Sequence, residues 1–348
     1  MKGSVQAILK PLTYIALAIS LTAISFQLIG YSSPLLAKSI LEGAVGSPDA
    51  ITNSVRWALP LLVTSLGVVV AFRSGFFNVG AQGQFYAGAI AVAFVVYPLE
   101  GLPPAIMTPA AVCAGIAGGA LWALCPAILR LTYGTDEVIT TLMGNFIAAL
   151  ALIEVTTGVL KDPAGTGQSS STRPIDAVYR WSDATGVSTT LILVATVCVV
   201  VVWILLNRTS FGVLAGLAGR NPTMLVWQGA TEWRLGCAAF LVSGGMAGLA
   251  GAMEVLGPNG QLISDFLPTD GFTAILIALV GGLSVPGSLI ASLFFGGLAA
   301  ATLYLPIMAG LPSSAVDVIN AVIAILITAR AWPKGFERLL MFMSPAHD

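Results

Sequence analysis

The sequence predicts an all-α polytopic membrane protein, and three observations carry that prediction. Of the 348 residues, 57% are hydrophobic and only 9% are charged, with a mean hydropathy of +0.92. A soluble domain carries about 25% charged residues, so this chain has too little charge to solvate a surface of its own. The apolar residues are gathered into long runs of Ala, Leu, Ile, Val and Gly. In lipid the backbone must satisfy its own polar groups, which leaves helices or closed barrels. The short alternating strands with polar lumen positions that mark a barrel are not what these runs look like.

A span needs about 20 predominantly apolar residues. Ten candidates follow along the chain, near 12–30, 54–72, 76–97, 105–129, 136–160, 188–206, 235–256, 270–284, 287–304 and 315–331. The first follows Lys2 and Lys10 as a signal peptide would, but it is long for a signal and lacks a good cleavage cue, so it is read as a span. The stretch 270–284 is short and stops at the breaker Val285-Pro286-Gly287. With ten spans and both termini cytoplasmic, the inner segments hold ten basic residues: Lys2, Lys10, Arg73, Arg130, Arg208, Arg220, Arg234, Arg330, Lys334 and Arg338. The outer segments hold five, namely Lys38, Arg56, Lys161, Arg173 and Arg180. That bias is the positive-inside pattern, and shifting the count by one span would put the Arg330–Lys334 cluster on the wrong side. Two loops are long: a polar outer loop at 161–187, and an inner loop at 207–234 that reads as short helices lying under the membrane.

The same residues exclude several functions. Cys113, Cys125, Cys198 and Cys237 sit in or beside apolar segments, at spacings that suit neither a metal site nor a disulfide framework. His347 is the one histidine and lies next to the end, which leaves no histidine chemistry. No glycine-rich loop is followed by Lys-Ser/Thr, so the chain is not expected to hydrolyse ATP. No nucleophile comes with a base, no basic-aromatic patch suggests nucleic acid, and no cofactor is expected on this chain.

Polar groups inside a bilayer are costly and usually face a cavity or one another. They are densest at 72–84, FRSGFFNVGAQGQ, where three glycines stand among the amides Asn78, Gln82 and Gln84. This segment suits either a polar joint between helices or the lining of a path for an uncharged polar solute. At 133–145, Asp136 and Glu137 open a span, where carboxylates favour the positive end of the helix dipole, and Asn145 lies about two turns deeper. Thr140 and Thr141 are expected to bond back to their own helix. Glu154, Glu254 and Asp317 fall near outer span ends, with no deep basic residue as an obvious counter-ion, so an ion-coupled secondary transporter is the weaker alternative. Glycine runs at 115–119 and 243–251 have the small-xxx-small spacing of tight helix packing.

Four of these segments, in order, carry a resemblance. FNVGAQGQ (77–84) resembles the F-N-[IV]-G-[AVL]-E-G-Q motif of ABC importer permeases for nucleosides, simple sugars and branched-chain amino acids. GTDEVITTLMGN (134–145) resembles the matching segment of the nucleoside-type branch. The run 212–230, with Gly219-Arg220-Asn221-Pro222 and then Gly229, is similar to that family's cytoplasmic segment. GFTAILIALVGG (271–282) with Pro286-Gly287 resembles its late glycine-rich motif. Three departures stand out: Gln82 replaces the usual glutamate, Gly144 a large apolar residue, and Thr223-Met224 an alanine pair.

The resemblance implies a type II ABC-importer-like permease fold in the cell inner membrane, closest to the larger permease of a nucleoside importer. It also implies partners: a second, homologous permease forming a heterodimer, an ABC ATPase that binds ATP and Mg, and an extracytoplasmic solute-binding protein. The solute path is expected to be lined by Asn78, Gln82, Gln84 and Asn145, with Phe76 and Phe77 as stacking faces. The coupling helix is expected at about 221–230, with Arg220, Asn221, Pro222, Gly229 and Arg234 as the ATPase-coupling residues. A simple sugar or another heterocycle is the alternative solute.

Overall fold

The computed structural model describes Ser20, Ile24, Phe26, Gln27 and residues 32–330, except 165–169, 182–186, 222, 265–269, 309 and 311–314. The described residues are almost entirely helical, with two isolated β-bridges, Lys161 to Thr172 and Ser171 to Ile263. Two compact units divide the chain: residues 42–301 form one, while residues 1–41 and 302–348 form the other. The second unit contributes most of α1 (Ser33–Val45), a short helix at Leu305–Met308, and Ala315–Arg330. The predicted first span lies almost wholly outside the described residues.

The larger unit is built from α2 (Pro48–Arg73), α3 (Ala81–Val96), α4 (Pro104–Tyr133), α5 (Glu137–Glu154), α6 (Thr189–Arg208), α7 (Ser210–Ala218), α8 (Thr223–Trp227), α9 (Glu232–Leu256), α10 (Asp270–Val280) and α11 (Val285–Ala301). Local chemistry sets the ends. Ser47 caps α2 by accepting from Ala50 N at 3.0 Å, with Pro48 in the first turn, where a missing N–H costs nothing. This cap starts the helix six residues before the apolar run that predicted it. Asp136 caps α5 by accepting from Val138 N at 2.8 Å, and its carboxylate also meets the helix dipole favourably. Ser188 and Thr231 cap α6 and α9 in the same way. At the far end of α4, Gly134 takes the left-handed conformation (φ 69°) and returns its N–H to Arg130 O, closing the helix.

Five helical stretches are long and apolar enough to cross a bilayer: Pro48–Arg73, Pro104–Tyr133, Glu137–Val159, Thr189–Arg208 and Glu232–Leu256. Shorter apolar helices accompany them at Ala81–Val96, Gly271–Val280, Val285–Ala301 and Ala315–Ile325. The molecule is thus a multi-pass membrane protein. One predicted span starts differently: residues 76–80 are not helical, and α3 begins only at Ala81. The cause is local. Gly75 has φ 84°, and Asn78 Oδ1 accepts from Gly80 N at 3.0 Å, a side-chain turn that competes with the helix.

Helices α2 and α9 form the centre, and α9 packs against α4, α2 and α3. Its run 243–251 is where backbones nearly touch. A Cβ added at Gly67 of α2 would lie 2.7 Å from Ser243 O, and one at Gly115 of α4 would lie 3.1 Å from Gly248 O. Cβ atoms at Gly88 of α3, Gly119 of α4, Gly244 and Gly248 would each strike backbone of the neighbouring helix. Around this seam Phe85, Phe240, Met253 and Leu66 are fully buried. Helix α2 also holds α11, where Gly296 faces Ala58, and α10 packs on α2 and α11.

At one end of the bundle the loop after α5 is folded down rather than loose. Thr172 N donates to Leu262 O, Ile175 N to Gly260 O and Trp181 N to Leu256 O. Tyr97 Oη, at the end of α3, donates to Arg173 O at 2.7 Å. Nearby, Arg56 of α2 lies 3.4 Å from the Glu254 carboxylate of α9, which is 1% exposed, and stacks over Trp57 at 4.0 Å. Asn259 donates to the same carboxylate oxygen at 3.2 Å. Glu254 therefore has a counter-ion, although one from another helix that spacing along the chain does not reveal.

Two outcomes are expected. Gly248→Val forces α9 away from α4, so the protein should lose more than about 3 kcal/mol, the upper range for overpacking, and its apparent melting temperature in detergent should drop sharply. Gly216→Ala, where nothing lies within 4 Å, should leave that temperature unchanged or slightly raised. For the ion pair, Arg56→Ala strands a buried carboxylate and should cost about 3–5 kcal/mol, and Arg56→Ala combined with Glu254→Gln should recover much of the loss in the same melting assay.

Candidate functional site

The segment that leaves α2 and enters α3 is a polar node, and its side chains are held by one another. Asn78 is fully buried. Its Nδ2 donates to Gln84 Oε1 and to Ser243 Oγ, each at 2.9 Å, while Gln84 Nε2 returns a 2.9 Å bond to Asn78 Oδ1. Asn145 of α5 reads the backbone: its Oδ1 accepts from Gly83 N at 2.8 Å and its Nδ2 donates to Val79 O at 3.0 Å. Thr141, one turn earlier, accepts from Val79 N at 3.3 Å while donating to Glu137 O. Gln82 Oε1 accepts from Gly271 N at the start of α10. Three helices are thereby stitched to residues 76–84, which supports the reading of this segment as a polar joint.

The charges at this end join the same node. Arg130 of α4 lies 2.9 Å from Glu137 of α5, and Glu137 also accepts weakly from Phe77 N. Each amide finds its partner inside the bundle, where an unmet polar group would cost more than in water. Phe76 and Phe77 part company. Phe76 is buried against Phe240, with Gly236 giving it room, whereas Phe77 is 53% exposed and meets Phe72 edge-on.

Beside the node lies a cavity of about 510 Å³, bounded by the start of α3, the second half of α4 and the first half of α5. Gln84, Thr140 and Thr141 supply its polar rim, Trp122 and Gly144 line it side by side, and Cys125 stands at its edge. The rest of the wall is aliphatic, including Leu121, Leu129, Met143 and Ile147. Of the predicted pathway residues only Gln84 borders this space. Trp122 was not singled out from sequence, because an indole within an apolar run reads as core. The one available signal was its polar N–H in the middle of a span.

The predicted coupling segment follows Gly219, whose backbone packs on Arg73 and Gly75 where the chain leaves α2. It contains α8, a turn in which Gly229 takes φ 70°, and the Thr231 cap of α9. Asn221 Oδ1 accepts from Thr223 N, which opens α8, while Pro222 lies outside the described residues. Leu225 is buried on Ala218 and Leu235, so Met224, Val226 and Trp227 are pushed outward, Trp227 to 86% exposure. Arg220 and Arg234 flank this apolar knob. Among the described residues no group of His, Cys, Asp and Glu could hold a metal ion.

The chain is similar to known permeases over most of its length. The family model described as branched-chain amino acid transport system / permease component matches residues 50–329. The guanosine ABC transporter permease protein NupP of Bacillus subtilis is 30% identical over 326 residues, covering 92% of this chain and 93% of that one. The nucleoside ABC transporter permease protein NupB of Lactococcus lactis is 29% identical, covering 95% and 93%. The glucose ABC transporter permease protein TsgB13 of Haloferax volcanii is 32% identical, covering 87% and 82%. No solved structure matches the chain significantly.

The node generates its own expectation. Asn78→Ala leaves Gln84 and Ser243 without their buried partner and should cost about 1–3 kcal/mol. Gln84→Ala should cost a similar amount, and the double variant should cost clearly less than their sum, because each loss already contains the other. Melting of the four proteins in one detergent reads the coupling.

Proposed function

Because the chain belongs to the branched-chain amino acid transport system / permease component family, we propose that it is the inner-membrane permease of an ATP-driven importer for a nucleoside-like solute. The observation that carries the solute is near-full-length similarity to two permeases named for guanosine and nucleosides. A simple sugar is the second reading, favoured by the similarly high identity to a permease named for glucose.

In this reading the chain is non-catalytic and moves solute by alternating access. Both termini are cytoplasmic, ten spans cross the membrane, and a second homologous permease completes the path. The exposed apolar face of α5, with Phe146, Ile147 and Leu150, is a suitable surface for that subunit. Asn78, Gln82, Gln84 and Asn145 act as the fixed wall of the path, holding residues 76–84 so that Gln84 borders the cavity. Phe77 offers an accessible ring nearby, and Phe76 anchors the segment from behind. A solute-binding protein delivers the cargo from outside.

ATP is bound and hydrolysed by a partner subunit, and the 220–234 loop couples the two. Arg220, Asn221, Pro222, Gly229 and Arg234 frame α8, and the exposed Trp227 supplies the kind of aromatic anchor that dominates protein interfaces. A conformational equilibrium moves only as far as its ligands bind the two states differently. The docked ATPase is the ligand that changes with nucleotide.

Two measurements test the reading. Uptake of labelled guanosine should fall when the gene is deleted and should stop on ATP depletion. Gene-dependent uptake that follows the proton gradient instead would point to a secondary transporter and overturn the importer, while gene-dependent uptake of glucose alone would favour the sugar reading. Trp227→Ala should lower solute-stimulated ATPase activity of the assembled complex by about tenfold or more, as expected for a lost hot spot of ~2 kcal/mol, with the amount of permease in the membrane unchanged.

A further inference from the structure

Where the predicted coupling segment meets the long helices, backbone rests on backbone. Gly219 ends α7 in ordinary helical conformation (φ −65°), so its own geometry does not call for glycine. Its neighbour does: a Cβ there would lie 2.5 Å from Arg73 O, at the end of α2. From the other side, a Cβ on Gly75 would lie 3.2 Å from Gly219 Cα and 3.4 Å from Ala218 O. Gly75 also needs its freedom for the turn, with φ 84°. Two glycines thus seat the end of α7 on the junction of α2 and α3 with no side chain between them.

Each side of this contact is tied to something larger. Ala218 is buried with Leu225 of α8 and Leu235 of α9. The link from α7 to α8 is short and bonded: Arg220 N and Asn221 N both donate to Leu217 O, and Asn221 Oδ1 accepts from Thr223 N. The end of α7 and α8, with the exposed Trp227 on it, therefore form one piece. On the membrane side, Gly75 leads straight into the non-helical residues 76–80. These lack a helical ladder and are held by side chains, Asn78 by Gln84 and Ser243, Val79 by Thr141 and Asn145. Packed backbone is barely compressible and passes displacement on, while a shift of about 1 Å is enough to break a hydrogen bond of normal length.

We propose that the Gly219–Gly75 contact is the joint through which docking at α8 reaches the polar node, with Gly219 as a positioning residue for transport. The joint rests on the reading of the 220–234 loop as the ATPase-docking segment, and gives that reading a route into the membrane. When the docked ATPase changes with nucleotide, α8 and the end of α7 move together and press on residues 73–75. The glycine seam holds α9 on α4, so the displacement is taken up by residues 76–80 and by the start of α3. A side chain at position 219 wedges the two backbones apart, and motion of α8 then no longer arrives at the node in register.

The test uses the transporter assembled with its ATPase, and compares Gly219→Val and Gly219→Ala with Gly216→Ala, a change on the same helix into open space. With Gly219→Val the ATPase should still copurify and hydrolyse ATP. Uptake of labelled guanosine per ATP hydrolysed should fall about tenfold, within the usual range of a coupling free energy, while Gly216→Ala should match the wild type. A second readout reports the node itself and is independent of which solute is carried. In a chain with Cys113→Ser, Cys125→Ser, Cys198→Ala and Cys237→Ser, Phe77→Cys places a thiol at an exposed position of the non-helical segment. Its reaction rate with a methanethiosulfonate should differ about fivefold or more between the ADP-bound and the ATP-trapped complex, and that difference should vanish when Gly219→Val is added. Persistence of the nucleotide response with Gly219→Val, its absence with Phe77→Cys alone, or unchanged uptake per ATP would each overturn the joint. So would failure of both Gly219 variants to assemble while Gly216→Ala assembles, since the contact would then be structural only. Absence of any copurifying ATPase from the wild-type complex would instead overturn the parent reading, and Trp227→Ala, which should weaken ATPase binding itself, separates lost docking from a broken joint.

Discussion

Inside a bilayer, burying apolar surface between helices gains little over leaving it in lipid, so association depends on close packing and interhelical hydrogen bonds. Here that dependence is concentrated in one stretch of α9, residues 243–251, where glycines bring the backbone of α9 against α2, α3 and α4 at once. The contact is collective, because two glycines on α9 are answered by glycines on α4: Gly248 by Gly115 and Gly119, Gly244 by Gly119. A side chain at any of them would push α9 and α4 apart. This seam fixes where α3 and α4 stand, and so fixes the two walls from which the polar node and the cavity are made.

The seam and the node meet at Ser243. This residue opens the glycine run, and its hydroxyl accepts from Asn78, so the same turn of α9 sets helix spacing and anchors the non-helical segment 76–80. An unwound backbone at membrane depth survives only where protein satisfies its N–H and C=O groups. Asn145 and Thr141 of α5 do that for Val79 and Gly83. The amides are thus committed to keeping an irregular segment in place. Beside them lies the cavity, to which Gln84 contributes an edge.

Much of this was legible in the sequence, for physical reasons. Apolar runs located the long helices, since length and hydropathy are properties of a single segment, and Asp136 announced the start of α5 because capping is local. The glycine run of α9 showed its purpose through spacing alone. What stayed hidden depends on which helices become neighbours. Arg56 and Glu254 are separated by nearly the whole bundle in sequence but share an ion pair, and Asn78 could not be matched to Ser243 without the fold. Gly144 was visible as a departure from the motif it resembles. That it lies against Trp122 required the α4–α5 pairing.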